Sequence, residues 1–301
     1  MKKERFHIIS DSSCDLPDEY LADNDITLVP FYVSFGKDEY LKERVDIGVR
    51  EFYQKMVDNP NVFPKSSTPS IADFYDAMEP YVKEGVPVLC ICITMKFSAS
   101  YQSALNAREM LLEEYPDAVI AVMDSRVDTV LQGLFVIEAV KLRDQGIDVE
   151  EAESRLSDIR DTGRIFFTVG TFAYLQINGR IGKVAKSMTS ILGIRPVITL
   201  KDGEIFPSGI ARSRKQTIKK VISLIEKYVD EVRATARTYA INIGYGFDKS
   251  EAESFRDEVI LALAPHGMSL GPDDIRLYQI GAAIGVHTGP NPLGVTIIKR
   301  A

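Results

Sequence analysis

The sequence predicts an α/β fold in two parts: an N-terminal domain on a parallel sheet, then an α+β domain with a mixed, partly antiparallel sheet. Three observations carry this. Through about residue 161, short β-rich apolar runs alternate with helical periodicities, the pattern of βαβ units. Beyond it, hairpin signals are interspersed with helices, which points to antiparallel pairing. At roughly 150 residues per domain, 301 residues make room for two. The expected division is 1–161 and 162–301, with a crossover near 46–75 a candidate to pack on the second domain.

Element by element, Phe6–Ser10 (FHIIS) reads as the first strand, and Asp15 is expected to cap a short helix beginning at Pro17. Ile26–Phe35 is a second β-rich run. A helix near Gly48–Val57 precedes the Pro/Ser-rich loop Val62–Ser70. From there Ile71, Phe74, Tyr75, Met78 and Val82 take helical spacing, with Ser70 and Asp73 at the N-cap and N3 positions of a capping box. The strand Val86–Thr94, a helix at Tyr101–Tyr115, the strand Ala118–Asp124 and a long helix from Val127 complete the first half. In the second, Ile165–Gly170 leads into a helix and the turn NGRIG (Asn178–Gly182), and Arg195–Ala211 reads as two strands about a turn at Asp202 and Gly203. A helix at Lys215–Tyr228, a strand at Thr238–Gly244, a helix at Ser250–Leu263 and strands near Ile275–Ile280 and Gly294–Lys299 close the chain. No internal repeat or low-complexity tract occurs.

Composition narrows the function. With 45% hydrophobic and 26% charged residues the chain is that of a soluble globular protein, and a net charge of −7 argues against a nucleic-acid footprint. No apolar run approaches the roughly 20 residues that span a bilayer, and Ser10 and Asp11 cut the N-terminal apolar stretch too short for a signal peptide. A cytoplasmic protein without stable membrane insertion is expected. Cys90 and Cys92 share one face of a buried strand and read as core packing; Cys14 falls in the first βα turn. With His7, His266 and His287 the only histidines, a multi-histidine metal site is not expected. No P-loop, GxSxG elbow or HExxH is present, and the first βα turn, SDSSCD (Ser10–Asp15), has no glycine for a dinucleotide. The GxG of Gly244–Lys249 lacks its third glycine. The basic cluster Ala211–Lys220 is either a solvated helix start or a docking patch for an acidic or phosphate-handling partner.

What stands out is the hydroxyl-rich loops. KSSTPS (Lys65–Ser70) and MKFSASYQSA (Met95–Ala104) each place Ser and Thr at or ahead of a helix N-terminus. The second follows a buried parallel strand, so it faces the usual ligand crevice of an open α/β sheet. Free N–H groups and the positive end of a helix dipole favour an anion there, although plain N-capping explains either loop taken alone. A third feature, VHTGPNPLG (Val286–Gly294), reads as a rigid turn with His287 at its tip.

Together these pieces resemble the DegV family of bacterial lipid-binding proteins. The likeness rests on DSSCDL (Asp11–Leu16), STPS (Ser67–Ser70), FSASYQSA (Phe97–Ala104), MDS (Met123–Ser125), NGRIG (Asn178–Gly182), IRPV (Ile194–Val197) and HTGP (His287–Pro290), in family order over nearly the whole chain. Phe97 and Ala99-Ser100 depart from the family's usual Leu and Gly-Thr. The resemblance implies a two-domain protein enclosing one long-chain fatty acid, such as palmitate, in a tunnel at the domain junction. It implies Thr68 and Ser98 on the carboxylate with Arg180 and His287 nearby, and no cofactor. Some members carry the acyl chain for a bacterial fatty acid kinase, presenting the carboxylate to a separate ATP-binding subunit.

Elementary energetics agree with such a ligand. A chain of about 16 carbons has roughly 15 to bury; at ~0.8 kcal/mol each, the transfer term is about 12 kcal/mol. Even after ordering and association costs, submicromolar binding is within reach without an ion pair, provided the carboxylate is hydrogen-bonded. Ile165–Leu175, Ile191–Leu200 and Leu277–Val286 have the apolar surface for a tunnel, and each is also plausible core. Two other readings stay open: a lipid chaperone or sensor with no kinase partner, and a serine hydrolase using Ser98 or Ser100 with His287, oriented by Asp11 or Asp124.

Overall fold

The computed structural model describes residues 6–36, 39–181 and 194–301. Three sheets organise it. The first is a four-stranded parallel sheet of β1 (His7–Asp11), β2 (Ile26–Val29), β6 (Val88–Cys92) and β7 (Ile120–Asp124), in the order β2-β1-β6-β7. The second has six strands: β8 (Arg164–Thr168), β9 (Arg195–Lys201), β10 (Glu204–Ala211), β11 (Tyr239–Tyr245), β12 (Arg276–Gln279) and β13 (Leu293–Lys299). Their order is β10-β9-β8-β13-β11-β12, and every pairing is antiparallel except β11 with β12. A small antiparallel sheet joins β3 (Tyr32–Ser34) to β4 (Leu41–Lys42) and β5 (Lys65–Ser67).

Helices fill three layers around the two large sheets. On the outer face of the parallel sheet, α3 (Ile71–Lys83) and α4 (Ser100–Glu114) bury Phe74, Met78, Ala104 and Leu111, and Cys90 and Cys92 face them with their sulfurs 3.8 Å apart. On the far face of the six-stranded sheet, α8 (Arg214–Val232) and α9 (Lys249–Leu263) bury Val221, Ile225, Phe255 and Val259. Between the sheets lie α5 (Thr129–Asp144) and α6 (Val149–Arg160). α5 is apolar nearly all round because it packs on both sheets, and its Val130, Leu134 and Phe135 join Ile8 and Leu89 to Ile165, Ile198 and Ile298 in one core. The segment α2 (Val49–Asp58) packs through Phe52, Tyr53 and Met56 against α10 (Ala282–Thr288) and Tyr174 of α7 (Ala173–Ile177).

The observed elements depart from the expected ones where tertiary contacts decide. The β-rich run Ile26–Phe35 breaks at Pro30 into β2 and β3, which belong to different sheets. Asp15 does not cap α1 (Asp18–Asp23), whose N-cap is Pro17; it sits at φ 53, buried, and accepts a hydrogen bond from Thr129 Oγ1. The helix from Val127 begins at Thr129, and Gly146, at φ 77, separates it from α6. The loop Val62–Ser70 contains β5, and the turn expected around His287 is the end of α10. The Ser70 box forms as expected: Asp73 N–H donates to Ser70 Oγ (3.1 Å) and Ser70 N–H to Asp73 Oδ2 (2.8 Å). Among the described residues, two of the five basic side chains in the stretch after Ala211 are engaged: Arg214 holds Glu251 through two bonds of 2.7 Å, and Lys220 Nζ donates to Ile210 O. Gly182 and residues 191–193 of the predicted turn and tunnel runs lie outside the described residues.

Candidate functional site

In the parallel sheet β1 is flanked by β2 on one side and β6 on the other, so the chain leaves its carboxyl end in opposite directions. Such a switch point opens a crevice where ligands bind. One buried carboxyl ties the two loops that border it. Asp11, at the end of β1, accepts from Ser13 Oγ (2.5 Å) and Gln132 Nε2 (2.8 Å) on one oxygen. On the other it accepts from Ile93 N–H (2.9 Å) and Ser100 Oγ (2.6 Å). Burial pushes its pKa up while these four donors pull the other way. Ser100 is thus fully engaged in fixing the start of α4, and Ser98 two residues earlier is left at the crevice.

The hydroxyl loops converge there. Thr68 Oγ1 and Ser98 Oγ lie 2.9 Å apart, and Ser98 Oγ also accepts from Ser100 N–H at 3.1 Å. Ser66, on β5, lies 3.2 Å from His287 Nε2. Arg180, exposed at the rim, donates from Nε to Phe97 O (3.0 Å) and from Nη1 to Asn178 O (3.1 Å). All four residues expected at an anion, Thr68, Ser98, Arg180 and His287, border one cavity of about 290 Å³. His287 is neutral at neutral pH: burial, and then the Arg180 charge, hold its pKa down to about 4. Its Nδ1 has no hydrogen-bond partner among the described residues, so neither Asp11 nor Asp124 orients the ring as a serine hydrolase requires. Asp124 accepts instead from Met95 and Arg126 N–H.

Inward from the hydroxyls the walls turn apolar. Ile93, Phe167, Leu175, Ile205 and Ile284 line the cavity; of the three runs expected to wall a tunnel, the first supplies Phe167 and Leu175 and the last Ala283 and Ile284, whereas no described residue of Ile191–Leu200 borders it. A smaller chamber of about 40 Å³ lies beyond, between α5 and the six-stranded sheet, lined by Val130, Ile165, Ile280 and Leu293. Asp128, Phe167, Ile284 and Thr288 border both spaces and form the neck between them. Gly244 on β11 keeps the inner chamber open, since a Cβ there would lie 3.0 Å from Val130 Cγ2 and 3.3 Å from Ile280 Cγ1.

Sequence reasoning missed Asp128 and Glu43, and it offered Asp11 only as an acid to orient a hydrolase histidine and Ser66 only as one hydroxyl of the KSSTPS loop. Glu43 follows β4, and its carboxylate receives the N–H groups of Ala282 and Ala283, which caps α10 and thereby seats His287. The hydroxyl count in KSSTPS pointed at Ser66's loop; nothing local points at Glu43, whose partners lie some 240 positions away.

The family model "Uncharacterised protein, DegV family" matches residues 5–300. The chain belongs to the DegV family. A DegV domain-containing protein of Clostridium perfringens is 31% identical over 295 residues, 97% of each chain. A stearic acid-binding protein from Eubacterium ventriosum is 43% identical and superposes with a TM-score of 0.92 over 98% of each chain. A fatty acid-binding DegV family protein from Thermus thermophilus is 27% identical, with a TM-score of 0.84 over 98% of this chain and 99% of that one. Phe97 and Ala99 both border the cavity. Ala99 has φ −80 and ψ 7, a backbone that needs no glycine.

Proposed function

We propose that this chain binds one long-chain fatty acid, with its carboxylate on Thr68 and Ser98 and its hydrocarbon in the cavity that narrows past Phe167. The observation that carries this is the Thr68–Ser98 hydroxyl pair, 2.9 Å apart at the mouth of a space whose inner walls are aliphatic and aromatic. The relatives that bind stearic acid and other fatty acids support it. Hydroxyl donors satisfy the carboxylate without neutralising it, and hydrocarbon burial supplies the affinity. No cofactor is needed for binding.

Such a grip suits presentation of the head group to an ATP-binding fatty acid kinase subunit. A carboxylate oxygen would attack the γ-phosphorus, the bond to the leaving ADP oxygen would break, and an acyl-phosphate would form. Arg180, at the rim, is placed to hold the added charge. This chain then presents substrate and performs no catalysis alone. In the test, delipidated protein is titrated with palmitate and with hexadecanol, then incubated with the kinase subunit and ATP, and acyl-phosphate is trapped with hydroxylamine. Palmitate should bind at least tenfold more tightly than the alcohol, and Arg180→Ala should lower hydroxamate yield more than palmitate affinity. Equal binding of acid and alcohol would remove the head-group assignment; no hydroxamate with any kinase subunit would leave a lipid carrier without that partner.

A further inference from the structure

The neck between the two chambers holds a carboxyl group that a plain hydrocarbon cannot satisfy. Asp128 immediately precedes α5, is 8% exposed, and borders both the outer cavity and the inner chamber. Its Oδ1 has no hydrogen-bond partner among the described residues, and its side chain does not cap the helix it precedes. The neighbouring Thr129 is anchored by its hydroxyl to Asp15, which fixes the corner from which Asp128 projects. The other polar side chain at the neck, Thr288, donates to Ile284 O at 3.2 Å and is already engaged. A buried acceptor left unpaired against methylene groups is a persistent penalty, and a ligand hydroxyl removes it. Either protonation state can do this: a carboxylate accepts the O–H, and a carboxylic acid donates to the hydroxyl oxygen.

Building on the fatty-acid reading, we propose that the preferred ligand is a long-chain fatty acid bearing a hydroxyl part-way along its chain, which Asp128 recognises at the neck. The head group stays with Thr68 and Ser98, and the tail beyond the hydroxyl fills the apolar inner chamber around Val130 and Ile280. An unmodified saturated or unsaturated chain would fit but leave Asp128 unpaired.

Competition binding with delipidated protein tests this, using stearic acid and its 10-hydroxy and 12-hydroxy derivatives. The natural chain should bind at least one hydroxystearic acid roughly tenfold more tightly than stearic acid. Asp128→Leu should invert that order, because the hydroxyl would then be buried without a partner, while Asp128→Asn, which still hydrogen-bonds, should retain part of it. Stearic acid binding as tightly as, or more tightly than, both derivatives to the natural chain would overturn the proposal and leave the fatty-acid reading standing. Failure of all three to bind would overturn both. The ratio in the natural chain decides the matter even where a variant fails to fold.

Discussion

Asp128 also makes the fold's stability depend on pH in a way that a single substitution isolates. Burial alone, with no charged partner, lifts its carboxyl from 3.8 to about 7. A folded-state pKa above the unfolded one means that the folded form holds the proton more tightly. Its contribution to stability is therefore complete below about pH 4 and is lost as pH rises through 7. The gap from 3.8 to about 7, at about 1.36 kcal/mol per pH unit, amounts to about 4 kcal/mol. Asp128→Asn resembles the protonated side chain and does not titrate, so the variant should match the natural chain at pH 4 and exceed it by about 4 kcal/mol above pH 8. Urea unfolding of delipidated protein measures this; with a slope of about 3 kcal/mol per molar urea, the midpoints should separate by ~1.4 M at high pH and coincide at low pH. A difference that is constant with pH, or that shrinks as pH rises, would refute the placement of a buried, unpaired carboxyl at the neck.

Thr68→Val and Ser98→Ala should each weaken palmitate binding roughly tenfold while leaving hexadecanol nearly unaffected, as read by displacement of a fluorescent fatty acid; equal losses for both ligands would mean that the hydroxyls do not meet the carboxylate. His287, held down to about 4, stays neutral as pH falls from its ordinary 6.5, so it contributes stability above 6.5 that is lost on acidification towards 4. His287→Gln should accordingly gain on the natural chain in thermal unfolding at pH 5 relative to pH 8. Gly285→Ala should destabilise by about 1–3 kcal/mol, because its Cβ would stand 2.9 Å from both Phe52 and the Tyr53 hydroxyl where α2 packs on α10; no change in urea midpoint would contradict that packing.

Much of this molecule is legible residue by residue because its elements carry their own signals. The apolar periodicity from Ile71 and the Ser70–Asp73 box are sufficient for α3, and the β-branched runs around Ile8, Leu89 and Val122 suffice for a parallel sheet. That Thr68 and Ser98 belong together is implied by the family resemblance rather than by any local pattern, and their hydroxyls lie 2.9 Å apart. Where the sequence falls short, the determinant is distant. α10 is seven residues long, contains Gly285, and is capped by Glu43 from another segment, so no local pattern announces it. β5 is a serine-rich strand that exists because β3 offers it hydrogen bonds. Asp15 resembles a helix cap in sequence, yet the fold spends it on Thr129. Asp128 looks like another solvated acid until α5 is seen to lie between two sheets.

Native mass spectrometry of the protein as purified from a bacterial host, followed by solvent extraction and identification of whatever dissociates, examines the occupant of the cleft without any prior choice of probe. One long-chain acyl carboxylic acid per polypeptide is the expected result. A polypeptide that is consistently empty, and that stays empty after incubation with excess palmitate and stearate, would contradict a fatty-acid site between Thr68, Ser98 and the neck at Asp128.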